Sequence, residues 1–159
     1  MKIIKLLPVL LFLAITQSAA DAAGTIVSPP TMKDKCPVCG MFVSKYPAWQ
    51  GSIDFKNTPR IYFDGPKDLF TYLLNLKKYA PARNPASITA ILVKDYYSLK
   101  PVDGRSAFYV IGSDVYGPMG QELVPFEKQI DAQAFLRDHK GKRLLRFNEI
   151  TPVLLKSLE

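Results

Sequence analysis

The stretch RIYFDGPKDLF, residues 60–70, passes from a strand into a helix and sets the pattern for the whole fold. Its first four residues predict a strand. Asp64 is a suitable N-cap residue, and Gly65 with Pro66 would open the first helical turn. Apolar residues at helical spacing continue the helix until the chain approaches Pro81.

Further strands flank this strand–helix unit, and the same order of elements is then repeated in the second part of the chain. One strand is predicted over residues 48–55 and another over 87–95, which gives the order strand, strand, helix, strand. The second part of the chain repeats this order, with elements predicted over 107–111, 122–126, 128–139 and 143–147. We therefore predict an α+β fold of two similar ββαβ halves, about 36–98 and 99–159, packed as one compact unit.

The N-terminal segment has the pattern of an export signal. Lysines near the start precede an apolar run, and an Ala-x-Ala cleavage site ends at residue 22. The run falls short of the ~20 apolar residues of a membrane span, so an uncleaved anchor is the less favoured alternative. We predict a signal peptide over 1–22, a flexible tether over 23–35, and a periplasmic mature chain without a stable membrane span. The cleavage region holds no cysteine that could carry a lipid.

Composition excludes several classes of site. The 159 residues carry a net charge of +7 and contain two cysteines and one histidine. That supply cannot build a Cys/His zinc site with four ligands or a disulfide-dense scaffold. Cleavage of the signal peptide removes two lysines and one aspartate, which leaves +6. The basic residues are dispersed, which favours a solvated surface over nucleic-acid binding and leaves an acidic partner or an anionic membrane as the alternative.

The chemistry concentrates in the cysteine knuckle, residues 36–41, with the sequence CPVCGM. A CxxC pair can form a redox disulfide or bind a soft metal ion. Gly40 follows the second cysteine, where covalent haem attachment needs a histidine. The polar residues before Cys36 do not match the core strand that precedes a thioredoxin-like motif. Zinc would need two further ligands, so a soft monovalent ion is the best chemical match.

Two methionines lie in loops where packing demand is low. Met41 stands two residues after Cys39, and Met119 lies in a Gly-Pro-Met-Gly loop. A single methionine is usually core filler, but two loop methionines beside a CxxC pair favour ligands. Because Cu(I) prefers thiolate and thioether sulfur, this pattern indicates a copper site.

Four stretches of the chain resemble the NosL family of copper accessory proteins, which are linked to nitrous-oxide reductase maturation. The matching sequences are CPVCGMFV, FDGPKDLF, SDVYGPMGQELVPF and DAQAFL, at residues 36–43, 63–70, 113–126 and 131–136. The resemblance covers the chain from Cys36 onward. It implies a periplasmic protein of two similar halves that binds one Cu(I) and passes it on.

The resemblance also implies the ligands. A cysteine of the knuckle and a methionine of the second half hold the ion in that family, which points to Cys39 and Met119, with Met41 as a third ligand. Cys36 either joins the ion or pairs with Cys39 as a disulfide when metal is absent. Better-known members carry a lipid-bearing cysteine after the signal peptide, and this chain has none there.

We therefore expect a copper chaperone or donor rather than an enzyme. Its partners would be the copper ion and either a client copper enzyme, such as nitrous-oxide reductase, or another periplasmic copper carrier. The alternative is a periplasmic thiol–disulfide oxidoreductase that uses Cys36 and Cys39. A third hypothesis is an interaction module with an inert disulfide.

Three further features are assigned structural roles. His139 suits the C-terminal end of the second predicted helix, where a partly charged imidazole is favourable. Asp64 and Asp68 are interpreted as a helix cap and a first-turn acid. The aromatic side chains of the first half are predicted to form core: Trp49, Phe55, Tyr62, Phe63, Phe70 and Tyr72.

Overall fold

A computed structural model describes residues 28–159 of the chain. Its strands are β1 Gly51–Phe55, β2 Ile61–Phe63, β3 Ile88–Lys94, β4 Pro101–Asp103, β5 Phe108–Ile111, β6 Tyr116–Gly117, β7 Gly120–Gln121, β8 Val124–Phe126 and β9 Arg143–Arg146. Its α-helices are α1 Pro66–Leu74, α2 Leu76–Tyr79, α3 Gln129–Asp138 and α4 Pro152–Lys156. Short 3-10 helices cover Val43–Lys45, Pro85–Ser87 and Phe147–Glu149. The predicted α+β class is confirmed.

Two antiparallel sheets share one strand order. The first sheet runs β2-β1-β3-β4 and the second runs β8-β5-β9. In the first sheet, β1 lies between β2 and β3, and α1 lies between β2 and β3 in sequence. In the second sheet, β5 lies between β8 and β9, and α3 lies between β8 and β9 in sequence. This shared order supports two similar halves, and the division into halves remains a prediction. β4 joins the first sheet although it follows residue 98, and β6 with β7 forms a separate two-stranded methionine hairpin, residues 116–121.

The main core lies where the first sheet, α1 and the second half meet. Ile53 on β1 pairs with Ile91 on β3, and both side chains are buried. From α1, Phe70 packs edge-on against Tyr109 of β5, with ring centroids 5.2 Å apart. Because one core contains residues of both halves, the predicted halves cannot separate without exposing apolar surface. A smaller cluster fills the space under α3: Val110, Val124, Phe126, Ala132 and Phe135.

The aromatic prediction holds for most of its members. Four of the six predicted core side chains are buried, namely Phe55, Phe63, Phe70 and Tyr72. Trp49 and Tyr62 are half-buried and pack against the core clusters. Tyr62 also donates a hydrogen bond of 2.8 Å from its hydroxyl to the Ser28 carbonyl.

The interpretation of Asp64 as a helix cap is wrong. Gly65 is the N-cap residue of α1, with extended backbone and no side-chain cap bond. The first-turn amide of Lys67 instead donates to Glu122 Oε1 at 2.6 Å, so a carboxylate from the second half does the capping. Asp64 is thereby left free to face the cysteine knuckle, where it is fully buried.

The export prediction, for residues 1–22, falls outside the described residues. The tether predicted over 23–35 is described from residue 28, and there Lys35 forms an isolated antiparallel bridge with Phe42. No helix between residues 28 and 159 has the length and apolar character needed to cross a membrane.

Candidate metal centre

The cysteine knuckle is closed by its own backbone. The Cys36 amide donates to the Met41 carbonyl at 2.8 Å, and the Gly40 amide donates to the Cys36 carbonyl at 2.9 Å. Gly40 has φ of +80°, which favours glycine, while the space a Cβ would occupy is open. The requirement for glycine here is therefore conformational, and the turn directs both cysteine side chains towards the start of α1.

Both thiols lie against the carboxylates at the start of α1. Cys36 Sγ donates to Asp68 Oδ2 at 3.2 Å, and Cys39 Sγ lies 3.4 Å from Asp64 Oδ2. One ligand atom from each of these four residues lies within 4.8 Å of the others. Asp64 precedes α1 by two residues and Asp68 lies in its first turn, so one helix start supplies both carboxylates.

Burial sets the protonation of this cluster. It raises the pKa of the Cys39 thiol to about 12 and raises the pKa of the Cys36 thiol further, helped by the neighbouring carboxylates. Burial also raises the pKa of Asp68 above its usual value. Both thiols are therefore protonated at neutral pH, and a soft cation must displace their protons to bind.

The two predicted methionine ligands differ in their surroundings. Met41 is half-buried at the end of the knuckle, and the Tyr46 hydroxyl donates to its sulfur at 3.4 Å. Met119 lies in the turn of the methionine hairpin and is 46% exposed. A Cβ placed on Gly65 would lie 3.6 Å from Pro118 Cδ, so the hairpin packs against the residue that follows Asp64.

A buried lysine ties the hairpin to the helix. Lys67 Nζ donates to the Met119 carbonyl at 2.7 Å and to the Leu158 carbonyl at 3.3 Å. Glu122 Oε1, besides capping α1, accepts from the Leu123 amide at 2.9 Å. Burial outweighs these amide bonds and raises the pKa of Glu122 to about 8. Lys67 and Glu122 together join the two predicted halves beside the thiols.

Sequence reasoning found the cysteines and missed the carboxylates. Asp64 and Asp68 stand four residues apart across the start of α1, and this short spacing was the only local signal that they could act as a pair. Lys67 and Glu122 carried no local signal, because the bonds by which they join α1 to the second half span more than 50 residues. His139 lies elsewhere, as the C-cap residue of α3, which matches its predicted place at the helix end. Its Nδ1 is also 3.0 Å from Asp114 Oδ1, a contact the sequence did not predict.

The sequence profile of the NosL family matches residues 27–155. The chain belongs to the NosL family. The predicted resemblance is therefore confirmed, over most of the chain.

Named NosL proteins are similar to this chain in sequence and in fold. The copper-binding lipoprotein NosL of Stutzerimonas stutzeri is 31% identical over 128 residues, which cover 77% of this chain and 65% of that protein. The chain thus spans about two thirds of that relative's length. The crystal structure of the copper chaperone NosL from Shewanella denitrificans matches with a TM-score of 0.67 and 29% identity, covering 80% of this chain and 96% of that one.

The donor set of this NosL protein suits a soft ion. Two thiols and a neighbouring thioether are the ligands that select Cu(I), whereas the two carboxylates alone would suit harder cations. The carboxylates already accept hydrogen bonds from the thiols, which fixes the orientation of the sulfur atoms. The chemistry of this cluster therefore suits a soft metal ion bound through sulfur, with the carboxylates as supporting groups.

Proposed function

We propose that this protein is an exported carrier of Cu(I) that binds one ion and donates it to another copper protein. Cys39 and Met119 are the principal ligands, Met41 is the third, and Cys36 joins through its thiolate. The observation that carries the proposal is the convergence of both thiols on the start of α1, against which the methionine hairpin packs. The names of the relatives, a copper-binding lipoprotein and a copper chaperone, support it.

Loading requires the thiol protons to leave. The Cys39 proton faces Asp64 and the Cys36 proton faces Asp68, so each carboxylate can receive a proton as the sulfur takes the ion. Two thiolates would give the bound Cu(I) a net negative environment, which protonation of the carboxylates reduces. Uptake therefore moves the thiol protons onto the neighbouring carboxylates, and only protons that the carboxylates do not keep pass to the solvent.

Release of the ion requires at least one ligand that a receiving protein can reach. Cys36 is buried at 1% exposure, whereas Met119 is exposed to solvent. A receiving protein can thus replace the thioether first while the thiolates still hold the ion. A shell in which one ligand is exposed and can be exchanged suits transfer better than storage.

The family and the N-terminal sequence support a proposal for the location and the client. The signal-peptide pattern of residues 1–22 supports a periplasmic site of action. The client is a copper enzyme or a further periplasmic copper carrier, and the family link makes nitrous-oxide reductase the first candidate to test.

The oxidoreductase alternative is disfavoured by the thiols themselves. Thiol–disulfide exchange requires an accessible thiolate of lowered pKa. Here burial raises the pKa of both Cys36 and Cys39, and Cys36 is inaccessible. The same groups suit a metal ion, which can displace protons that a disulfide substrate cannot.

The test is an anaerobic titration of the reduced mature protein with Cu(I) in the presence of a competing chelator. We expect one tightly bound ion per chain and sulfur-only near neighbours in X-ray absorption spectra. An assay for insulin reduction, run on the same preparation, should show no activity. Absence of copper binding together with insulin reduction would establish the oxidoreductase instead.

A further inference from the structure

An exposed aromatic ring with two lysines borders the copper site. The Phe42 side chain is 38% exposed, and its ring centroid lies 4.9 Å from Lys35 Nζ and 5.7 Å from Lys45 Nζ. We name these three residues the Phe42 patch. Both lysines are themselves exposed.

The patch is continuous with the cysteine knuckle. Lys35 and Phe42 form the bridge at the base of the knuckle, and the next residues inward are Cys36 and Met41. Cys36 is buried while its neighbour Lys35 is exposed, as alternation along an extended chain requires. The Phe42 patch therefore lies on the protein surface directly beside the knuckle.

The local charge is positive at the surface. Between residues 31 and 47 there are three lysines and one acidic residue, Asp34. Its carboxylate accepts hydrogen bonds from the Thr31 amide at 2.6 Å and the Thr31 hydroxyl at 2.7 Å. The carboxylates of Asp64 and Asp68 are buried beneath the surface. An approaching partner therefore meets lysines before it meets acid groups.

A second exposed apolar element, the methionine hairpin, packs against the residue that follows Asp64. The methionine hairpin presents Tyr116 at 63% exposure together with Met119. Exposed aromatic and methionine side chains with a charged rim are characteristic of protein interfaces.

We infer that the Phe42 patch docks an acidic face of the protein that exchanges copper with this one. The inference rests on the proposed carrier function. Lysines beside a transfer site attract an acidic partner and raise its rate of encounter, an effect that salt weakens. Phe42 supplies the apolar contact that holds the encounter complex in register.

The experiment measures Cu(I) transfer to two synthetic peptides by stopped flow. Both peptides carry the same Cys-x-x-Cys copper-binding sequence, flanked by glutamates in one and by lysines in the other. At low salt we expect the acidic peptide to receive copper at least about tenfold faster, and added salt to shrink this preference. The double variant Lys35→Glu/Lys45→Glu should reverse the preference, and Phe42→Ala should slow transfer to the acidic peptide.

The matched control is Lys77→Glu/Lys78→Glu on α2. It makes the same change in net charge, and Lys78 Nζ likewise stands near an aromatic ring, 4.8 Å from the Tyr79 centroid. The control should keep the wild-type preference. If both double variants lose it equally, net charge alone steers the peptides and the docking inference is overturned.

The remaining outcomes distinguish failure of the docking inference from failure of the proposed carrier function. Copper that binds tightly but transfers without regard to peptide charge would overturn the docking inference alone. A protein that binds no Cu(I) would overturn both. Sedimentation with phosphatidylglycerol vesicles that depends on the Phe42 patch, without any peptide preference, would replace the acidic protein by an anionic membrane surface.

Discussion

The cysteine knuckle and the methionine hairpin reach the same helix start by different means. The knuckle is closed by short local hydrogen bonds, and its thiols are bonded to carboxylates of α1. The hairpin exposes Met119 and is joined to α1 through one backbone carbonyl that accepts from Lys67. A fixed thiol side and an exposed thioether side are what a carrier needs, because one part must hold the ion while the other is exchanged.

The largest expected effect comes from the fixed side. Replacement of Cys39 by serine removes the thiolate, and the apparent Cu(I) affinity should fall by more than about 100-fold, which exceeds the usual cost of losing a group that only supports a ligand. The measurement is a chelator competition under anaerobic conditions. Circular dichroism should show an unchanged fold, because Cys39 is only half-buried. Binding that survives unchanged would remove Cys39 from the site.

On the exposed side, Met119→Leu should cost between about 10- and 100-fold in Cu(I) affinity, because a thioether is replaced by an apolar group of similar size. Met32→Leu is the matched control, since Met32 is 79% exposed and precedes the knuckle. The same competition assay compares the two variants. Equal affinities for both would contradict a ligand role for Met119.

Loss of the Lys67 bond that joins the methionine hairpin to α1 should have a smaller effect. Lys67→Met removes the ammonium group that holds the Met119 carbonyl, and we expect an affinity loss of about tenfold. In a Met119→Leu background the same change should cost nothing further, because Lys67 acts through Met119.

Lys94→Met is the control for the lysine experiment. Lys94 Nζ also donates to a backbone carbonyl, that of Pro47, but it lies on the first sheet. This variant should bind Cu(I) as the wild type does. Additive losses in the Lys67→Met/Met119→Leu double variant would show that Lys67 acts independently of the hairpin.

The last effect is on folding stability rather than on copper affinity, and it depends on pH. The pKa of Glu122 is raised from 4.5 to about 8 in the folded protein, so the folded state binds the extra proton between these values. Stability from this group is present below pH 4.5 and is lost as the pH rises through 8, with a slope of at most about 1.4 kcal/mol per pH unit. Glu122→Gln should flatten this dependence in urea unfolding experiments at several pH values.

Glu122→Gln retains an oxygen for the Lys67 and Leu123 amides, so its effect isolates the ionisation. Asp68 also has a raised pKa, so a residual slope of the same sign should remain. Glu127→Gln, on an exposed glutamate five residues later, should leave the slope as in the wild type. An equal change in both variants would remove Glu122 as the source.

Local patterns predicted those parts of the fold that depend on neighbouring residues. The apolar spacing around Phe70 identified α1, and the strands beside it follow from alternation and turn residues. The position of His139 at a helix end also follows from local sequence. Each of these features depends on residues within about ten positions of one another, so it can be predicted from a single sequence.

The remainder depends on contacts between distant residues. Asp64 looked like a cap because it precedes a helix, yet Glu122 caps α1 from 55 residues away. Because Glu122 caps the helix, Asp64 faces Cys39 instead. The assignment of Asp64 as the cap therefore concealed both the Glu122 cap and the contact between Asp64 and Cys39. The thiol chemistry was predictable from residue types, while its carboxylate partners required the packed structure.

The bond between Lys67 and the Leu158 carbonyl has a practical consequence for anyone who produces the protein. Leu155 and Leu158 are buried in the main core, and the Leu158 carbonyl touches the same ammonium group that holds the methionine hairpin. An affinity tag fused after Glu159 would begin one residue from that bond, whereas a tag placed ahead of Ser28 would begin far from it in sequence. Copper affinities measured on carboxyl-terminal fusions should therefore be compared with those of protein from which the tag has been removed.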